Sequence, residues 1–338
     1  MPVYFRGAVA ALLYSVLIAS PAQALDFLHN GSAHSLNGLF GIPAPVQTAR
    51  ESDQLKLGVV HSNMFAMGSD LGTDERSEVL LDGERTRLSL AWHRPLTGCL
   101  TAGIELPLIA HADGYFDRAI EDWHVFFNLP NANREEVEPN ELNVYYQDAS
   151  GRQLRVDQAQ SGIGDLRLTV QGTLACFTGK TPSSAHQHRR IVRFGLKLPT
   201  GRLRALSGSE ETDFFADVTS GTAQWHRRVH ARASAGVLVP GQVSGFSQQR
   251  AVAAYGILAA AYTWSPSFAM VGQLDWHTPL FDTGLTELGD ISVQLSAGLR
   301  WRRLSGNQLE FAIVEDVAPD TGPDISVMLA WTQSLGAN

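Results

Sequence analysis

The densest grouping of side chains able to move a proton or hold a metal is His111, Asp113, Glu121, Asp122 and His124. Imidazoles and carboxylates at short spacing are the raw material of general acid–base catalysis and of metal ligation. Their pattern argues against both uses. Glu121 and Asp122 are adjacent, and adjacent side chains on a helix do not face each other. There is no His-Glu-x-x-His, no Gly-x-Ser-x-Gly elbow and no phosphate-binding glycine loop anywhere in the chain. An exposed helix within a loop accounts for the cluster. No catalytic residue, cofactor or metal is assigned.

A second set of charges has a different spacing. Arg228, His230 and Arg232 occupy every second position of "QWHRRVHARASAGVLV" (224–239). Arg167 lies in "GDLRLTVQGTL", Arg193 and Lys197 in "RFGLKLPTG", Asp275 and His277 in "SFAMVGQLDWH" and Arg300 in "DISVQLSAGLRWR", with Asp217 and Glu310 in similar stretches. Charges of both signs facing one shared space would form ion pairs, line a narrow path and select the solutes that pass along it.

Such spacing needs β-strands. In "DISVQLSAGLRWR" (290–302), Ile291, Val293, Leu295, Ala297, Leu299 and Trp301 alternate with polar residues or glycine throughout. A period of two marks a strand with one wet and one dry face. The dry faces are rich in Ala, Val and Leu. Trp92, Trp225, Trp276, Trp301 and Trp331 stand near strand ends, as in the aromatic girdles of membrane barrels. The chain has 338 residues, 44% apolar, with a mean hydropathy of -0.07. Beyond residue 24 no apolar run is long enough for a membrane helix. A spanning barrel gives no such run, because its lipid and lumen faces alternate. A net charge of -8 argues against nucleic acid as a partner.

Twelve strand candidates fall near 54–67, 79–94, 98–110, 163–177, 189–199, 212–220, 224–239, 251–264, 267–278, 289–302, 307–316 and 323–334. Short turn-forming links such as "PLTG" and "LSGN" alternate with longer loops, the exceptions being 178–188 and 317–322. Short turns on one side, long loops on the other and an even strand count predict an all-β fold, an antiparallel transmembrane β-barrel of twelve strands spanning 54–334. Residues 1–24 read as a signal peptide, with an apolar run (8–19) and an Ala-x-Ala site ending at Ala24. Residues 25–53 read as an irregular segment able to plug the barrel. Loop 111–162 contains a helical pattern at 117–130 and a hairpin at 142–158, and is expected outside the membrane.

The ordered stretches "LNGLFGIPAP" (36–45), "IEDWHVFFNLPNANR" (120–134), "GIGDLRLTVQ" (162–171), "LPTG" (198–201) and "EDVAPDTGPDISVMLAW" (315–331) resemble a bacterial envelope family, domain of unknown function 3187. The resemblance covers nearly all of the chain after residue 24. It implies an outer-membrane barrel and carries over no catalytic residues. The expected function is a narrow channel or uptake barrel for a small solute. Two alternatives stand: a membrane-embedded lipid-modifying enzyme, and a structural or adhesive barrel acting through loop 111–162. Expected partners are outer-membrane lipid, the barrel-assembly machinery, periplasmic chaperones and a small-molecule solute.

Cys99 and Cys176 are the two cysteines. An exported chain with an even count suggests a disulfide, and the strand order brings both to the turn end. Their parity differs: Cys99 counts with inward positions, Cys176 with outward ones. A bridge would need irregular strand ends; two separate thiols remain the other reading.

Overall fold

A computed structural model describes residues 25–31, 33–44, 52–71, 76–127, 134, 137–178, 190–220, 222–303, 307–318 and 320–335; the expected signal peptide lies outside them. The strands are β1 Asp53–Leu71, β2 Arg76–Pro95, β3 Leu100–Ala112, β4 Asn143–Gln147, β5 Gln153–Val156, β6 Gln160–Ile163, β7 Leu166–Thr173, β8 Ile191–Leu198, β9 Asp213–Thr219, β10 Ala223–His226, β11 Val229–Val239, β12 Ala253–Thr263, β13 Phe268–His277, β14 Ser292–Arg302, β15 Gln308–Asp316 and β16 Ile325–Leu335. Twelve of them close a ring in the order β1-β2-β3-β7-β8-β9-β11-β12-β13-β14-β15-β16. Antiparallel pairing of β16 with β1, through Leu57 opposite Trp331, completes it. Closure leaves no edge in the bilayer, where an unpaired backbone amide has no water to bond.

The wall is inside out relative to a water-soluble protein. Along β14, Leu295, Leu299 and Trp301 are exposed while Ser296 and Arg300 are buried. The same inversion holds on β15 and β16, where Phe311 and Leu329 face out. Exposed apolar side chains in a continuous band, backed by buried charge, are the signature of a lipid-facing surface. Trp92, Trp301 and Trp331 lie at the end where the short turns gather, and Phe268 stacks on Trp301. The Arg94 and Arg303 guanidiniums stand over the Trp92 and Trp301 rings, at 5.8 and 5.4 Å. Trp276 instead ends β13 at the opposite, loop end.

Three differences from the sequence reading have local causes. The expected strand 224–239 is broken at Arg227 and Arg228, because β10 folds back onto the start of β11, Ala223 opposite Ala231. The expected strand 163–177 ends at Thr173, and Leu174–Phe177 forms one helical turn. Loop 111–162 partly extends the wall: β4 pairs with the far part of β2, and β6 with β3. Gly83 is the switch point. β2 pairs with β3 as far as Glu84 opposite Ala112, and with β4 from Asp82 opposite Asn143. Gly83 has φ 130°, and a Cβ there would lie 2.7 Å from Leu142 Cδ1, so only glycine fits. The helical pattern at 117–130 forms α1, Asp117–Phe127; residues 128–130 lie outside the described residues.

Residues 25–31 and 33–44 lie in the barrel interior. Phe27 and Leu28 pack around the middle of the barrel with Ile257, Val271, Ala312 and Met328. Leu36, Leu39 and Phe40 join an apolar cluster at the loop end with Val79, Tyr146, Phe246 and Phe281. The connections around Tyr146, Phe246 and Phe281 thereby form a cap over that end.

Candidate functional site

The interior is built from the inward positions of the ring, and most of its charges meet partners. Arg300 binds Glu310 at 2.6 Å across β14 and β15, and Lys56 on β1 approaches the same carboxylate at 3.0 Å. Arg193 on β8 binds Asp217 on β9 at 2.6 Å, with the Tyr255 hydroxyl donating to Asp217 at 2.9 Å. Lys197 bridges Asp165 and Asp213, at 2.8 and 3.1 Å. Arg87 and Arg167 share Glu105, at 2.5 and 3.7 Å. Register explains these pairs: Arg300 lies opposite Glu310, Arg193 opposite Asp217 and Lys197 opposite Asp213. In a site that excludes water, charges are tolerated only when paired in this way.

Several of the same cations also hold the N-terminal segment, and they do so through its main chain. Arg232 donates to the Leu25 carbonyl at 3.0 Å, Arg300 to Asp26 at 2.6 Å, Lys197 to Leu39 at 3.0 Å and Arg193 to Ala44 at 2.6 Å. The Gly41 amide donates to Asp213 at 2.7 Å. Gln273 pairs with both backbone groups of Leu28, and the Asn30 amide reaches Asp275.

Of the sequence-predicted interior residues, Arg167, Arg193, Lys197, Asp217, His230, Arg232, Asp275, Arg300 and Glu310 face inward. His277 lies half-buried at the loop end, its Nδ1 2.9 Å from the Thr278 carbonyl. His230 borders a small turn-end cavity with Arg300 and Arg302. Arg228 is a correction. It is exposed in the turn before β11 and donates to the outward Tyr262 hydroxyl, because the chain reverses at Arg227 and Arg228. Among the described residues the external cluster is not assembled either. His111 is an inward residue of β3, 1% exposed, beside Ser35 Oγ and the Leu206 carbonyl. Asp113 and Asp122 are exposed, and Glu121 is half-buried; the His124 side chain lies outside the described residues. Among the described residues, no group of three or more His, Cys, Asp or Glu is placed to hold a metal. Arg85 was missed by sequence reasoning. Its signal was its parity with Arg87 in "GERTRLSL", blurred because the positions beside it are also polar.

Outside the membrane wall, Asp148 stitches the cap together. It accepts from the amide and hydroxyl of Ser150, the Arg152 amide, and the amide and hydroxyl of Ser247. Burial alone would raise this carboxyl, but those donors outweigh it and bring it down to about 2.

Cys99 and Cys176 are joined as a disulfide with Cα atoms 5.9 Å apart, inside the usual range. Both lie outside regular strand: Cys99 precedes β3, and Cys176 sits in the helical turn after β7.

Among solved structures, the chain is similar to the COG4313 outer membrane channel from Pseudomonas putida F1, at 12% identity and a TM-score of 0.52, over 87% of this chain and 99% of that one. It is also similar to the transport unit of the autotransporter AIDA-I from Escherichia coli (8% identity, TM-score 0.45, 87% and 94% covered). The Ralstonia pickettii toluene transporter TbuX gives 11% identity, a TM-score of 0.38, and coverage of 85% and 90%. Only the first superposes well enough to bear on structure, and it shows a shared barrel fold. No curated protein sequence matches the chain. Residues 17–334 match the family model described as "Protein of unknown function (DUF3187)", and the chain belongs to that family.

Proposed function

We propose that the protein is a narrow outer-membrane channel, or uptake barrel, for a small solute, with residues 25–44 as its gate. The observation that carries this reading is how the wall holds the segment. Permanent cores are apolar, and burying charge in one costs stability. Here wall cations reach backbone carbonyls of the segment from β8, β11 and β14. Two of them, Arg193 and Arg300, already have wall carboxylate partners in Asp217 and Glu310. If the segment leaves, they become a hydrated, charge-lined path rather than a collapsed or orphaned core. Outer-membrane lipid would cover the exposed band, and the barrel-assembly machinery and periplasmic chaperones would deliver the chain. The test is conductance in planar bilayers. The full chain is expected to conduct little, and a variant lacking 25–44 to conduct steadily. Heat-modifiable gel migration checks that both are folded. A folded deletion variant that stays silent would overturn the proposal.

A further inference from the structure

We infer that the cavity between the N-terminal segment and the barrel wall, which reaches from the arginines of β2 and β7 across to β12–β14, is a binding site for a small oxyanion, a phosphate or a carboxylate. The cavity measures about 80 Å³ and is bordered by Arg85, Arg87 and Arg167 from the wall, and by Gly31, Asn37 and Gly38 from the segment. One water needs roughly 10–15 Å³ of such space, so a compact polyatomic ion fits.

Charge selects the sign of the occupant. Arg85, Arg87 and Arg167 are 2%, 5% and 7% exposed. Glu105 serves two of them, Arg87 at 2.5 Å and Arg167 at 3.7 Å, and also stands 3.7 Å from His29. Among the described residues no carboxylate pairs with Arg85; its bond is to the Ala33 carbonyl, at 3.4 Å. Asp275 borders the cavity too, but its oxygens accept from the Asn30 and Gln273 amides. The Nε of each of the three arginines is buried without an acceptor. Buried donors in excess call for an acceptor, and three planar guanidinium forks call for an oxyanion.

The segment runs close against two of these arginines. A Cβ on Gly38 would lie 3.0 Å from Arg85 Nη2, and one on Gly31 3.0 Å from Arg87 Cδ. Glycine at both positions lets the segment pass close to the two arginines without a side chain pressing on them.

Binding here does not depend on conduction, so a silent barrel that binds and a conducting barrel that does not are separate outcomes. The test uses the full chain in detergent. Its unfolding midpoint is followed by heat-modifiable migration as sodium phosphate or sodium acetate replaces chloride at fixed ionic strength. At about a hundredfold excess over Kd, the wild-type midpoint should rise by about 5 °C with at least one of the two anions. Which anion acts distinguishes a phosphate from a carboxylate. Arg85→Met and Arg167→Gln should abolish the rise, while the exposed Arg155→Met should keep it. No rise with either anion in the wild type, or an equal rise in both cavity variants, would overturn the site.

Discussion

Glu310 is the residue on which the turn-end interior balances. It is 1% exposed and answers both Lys56 and Arg300. Removing its charge leaves two buried cations without a carboxylate partner, which is far costlier than losing a surface pair. Glu310→Gln should therefore destabilise the barrel by about 3 kcal/mol in urea titrations followed by tryptophan fluorescence. Asp148 makes a different prediction, in pH. Its folded carboxyl is depressed to about 2 from an ordinary 3.8, so it contributes stability above about pH 4 that is lost as pH falls toward 2. Amides near Ser247 should lose hydrogen-exchange protection, relative to their intrinsic rates, across that window. In Asp148→Asn they should be weakly protected at neutral pH already, with the window gone. Retained protection in the variant would show that the apolar cluster alone holds the cap.

At the scale of the strand, the disulfide closes the base of β3 and β7 across a separation of 77 residues. A closure of this length should contribute about 4 kcal/mol in chain-entropy terms, less whatever native strain takes back. Reduction, or the Cys99→Ser and Cys176→Ser double variant, should lower the unfolding midpoint while leaving the folded gel species in place. The strands themselves were legible in the sequence because lipid and lumen demand opposite side chains at every step. "DISVQLSAGLRWR" needed no further information, and its strand begins only two residues late, at Ser292. Where neither solvent imposes a period, legibility failed. "QWHRRVH" alternates well enough to pass for strand, yet it reverses at the mouth, where water meets both faces. His111 was grouped with the loop for a related reason: β3 runs to Ala112, and nothing local says that its last residues still face inward. The N-terminal segment's partners were invisible, since carbonyl acceptors belong to every residue type alike.

For the whole molecule, the exposed apolar band sets the medium. Leu329 on β16 is 47% exposed and lies between Val59 and Phe311 of the adjoining strands. Leu329→Arg should destabilise the barrel by about 2–4 kcal/mol in liposomes if this position sits near the bilayer midplane. The same change on the surface of a water-soluble protein would cost almost nothing, so the free-energy difference in liposomes is itself the readout. The route of residues 25–44 has a topological consequence. Among the described residues, Leu25 stands beside Thr222 and Arg232, Leu39 and Gly41 stand higher beside Lys197 and Asp213, Ala44 lies lower again beside Arg193, and β1 begins at Asp53 at the same end as Leu25. Leu25 and Asp53 stand at the same mouth, so the described residues have the form of a bight laid into a ring rather than of a cord stretched from one mouth to the other. A threaded cord would be trapped once β16 met β1. A bight can be laid in after the ring has closed, and drawn out again without parting a single strand pair.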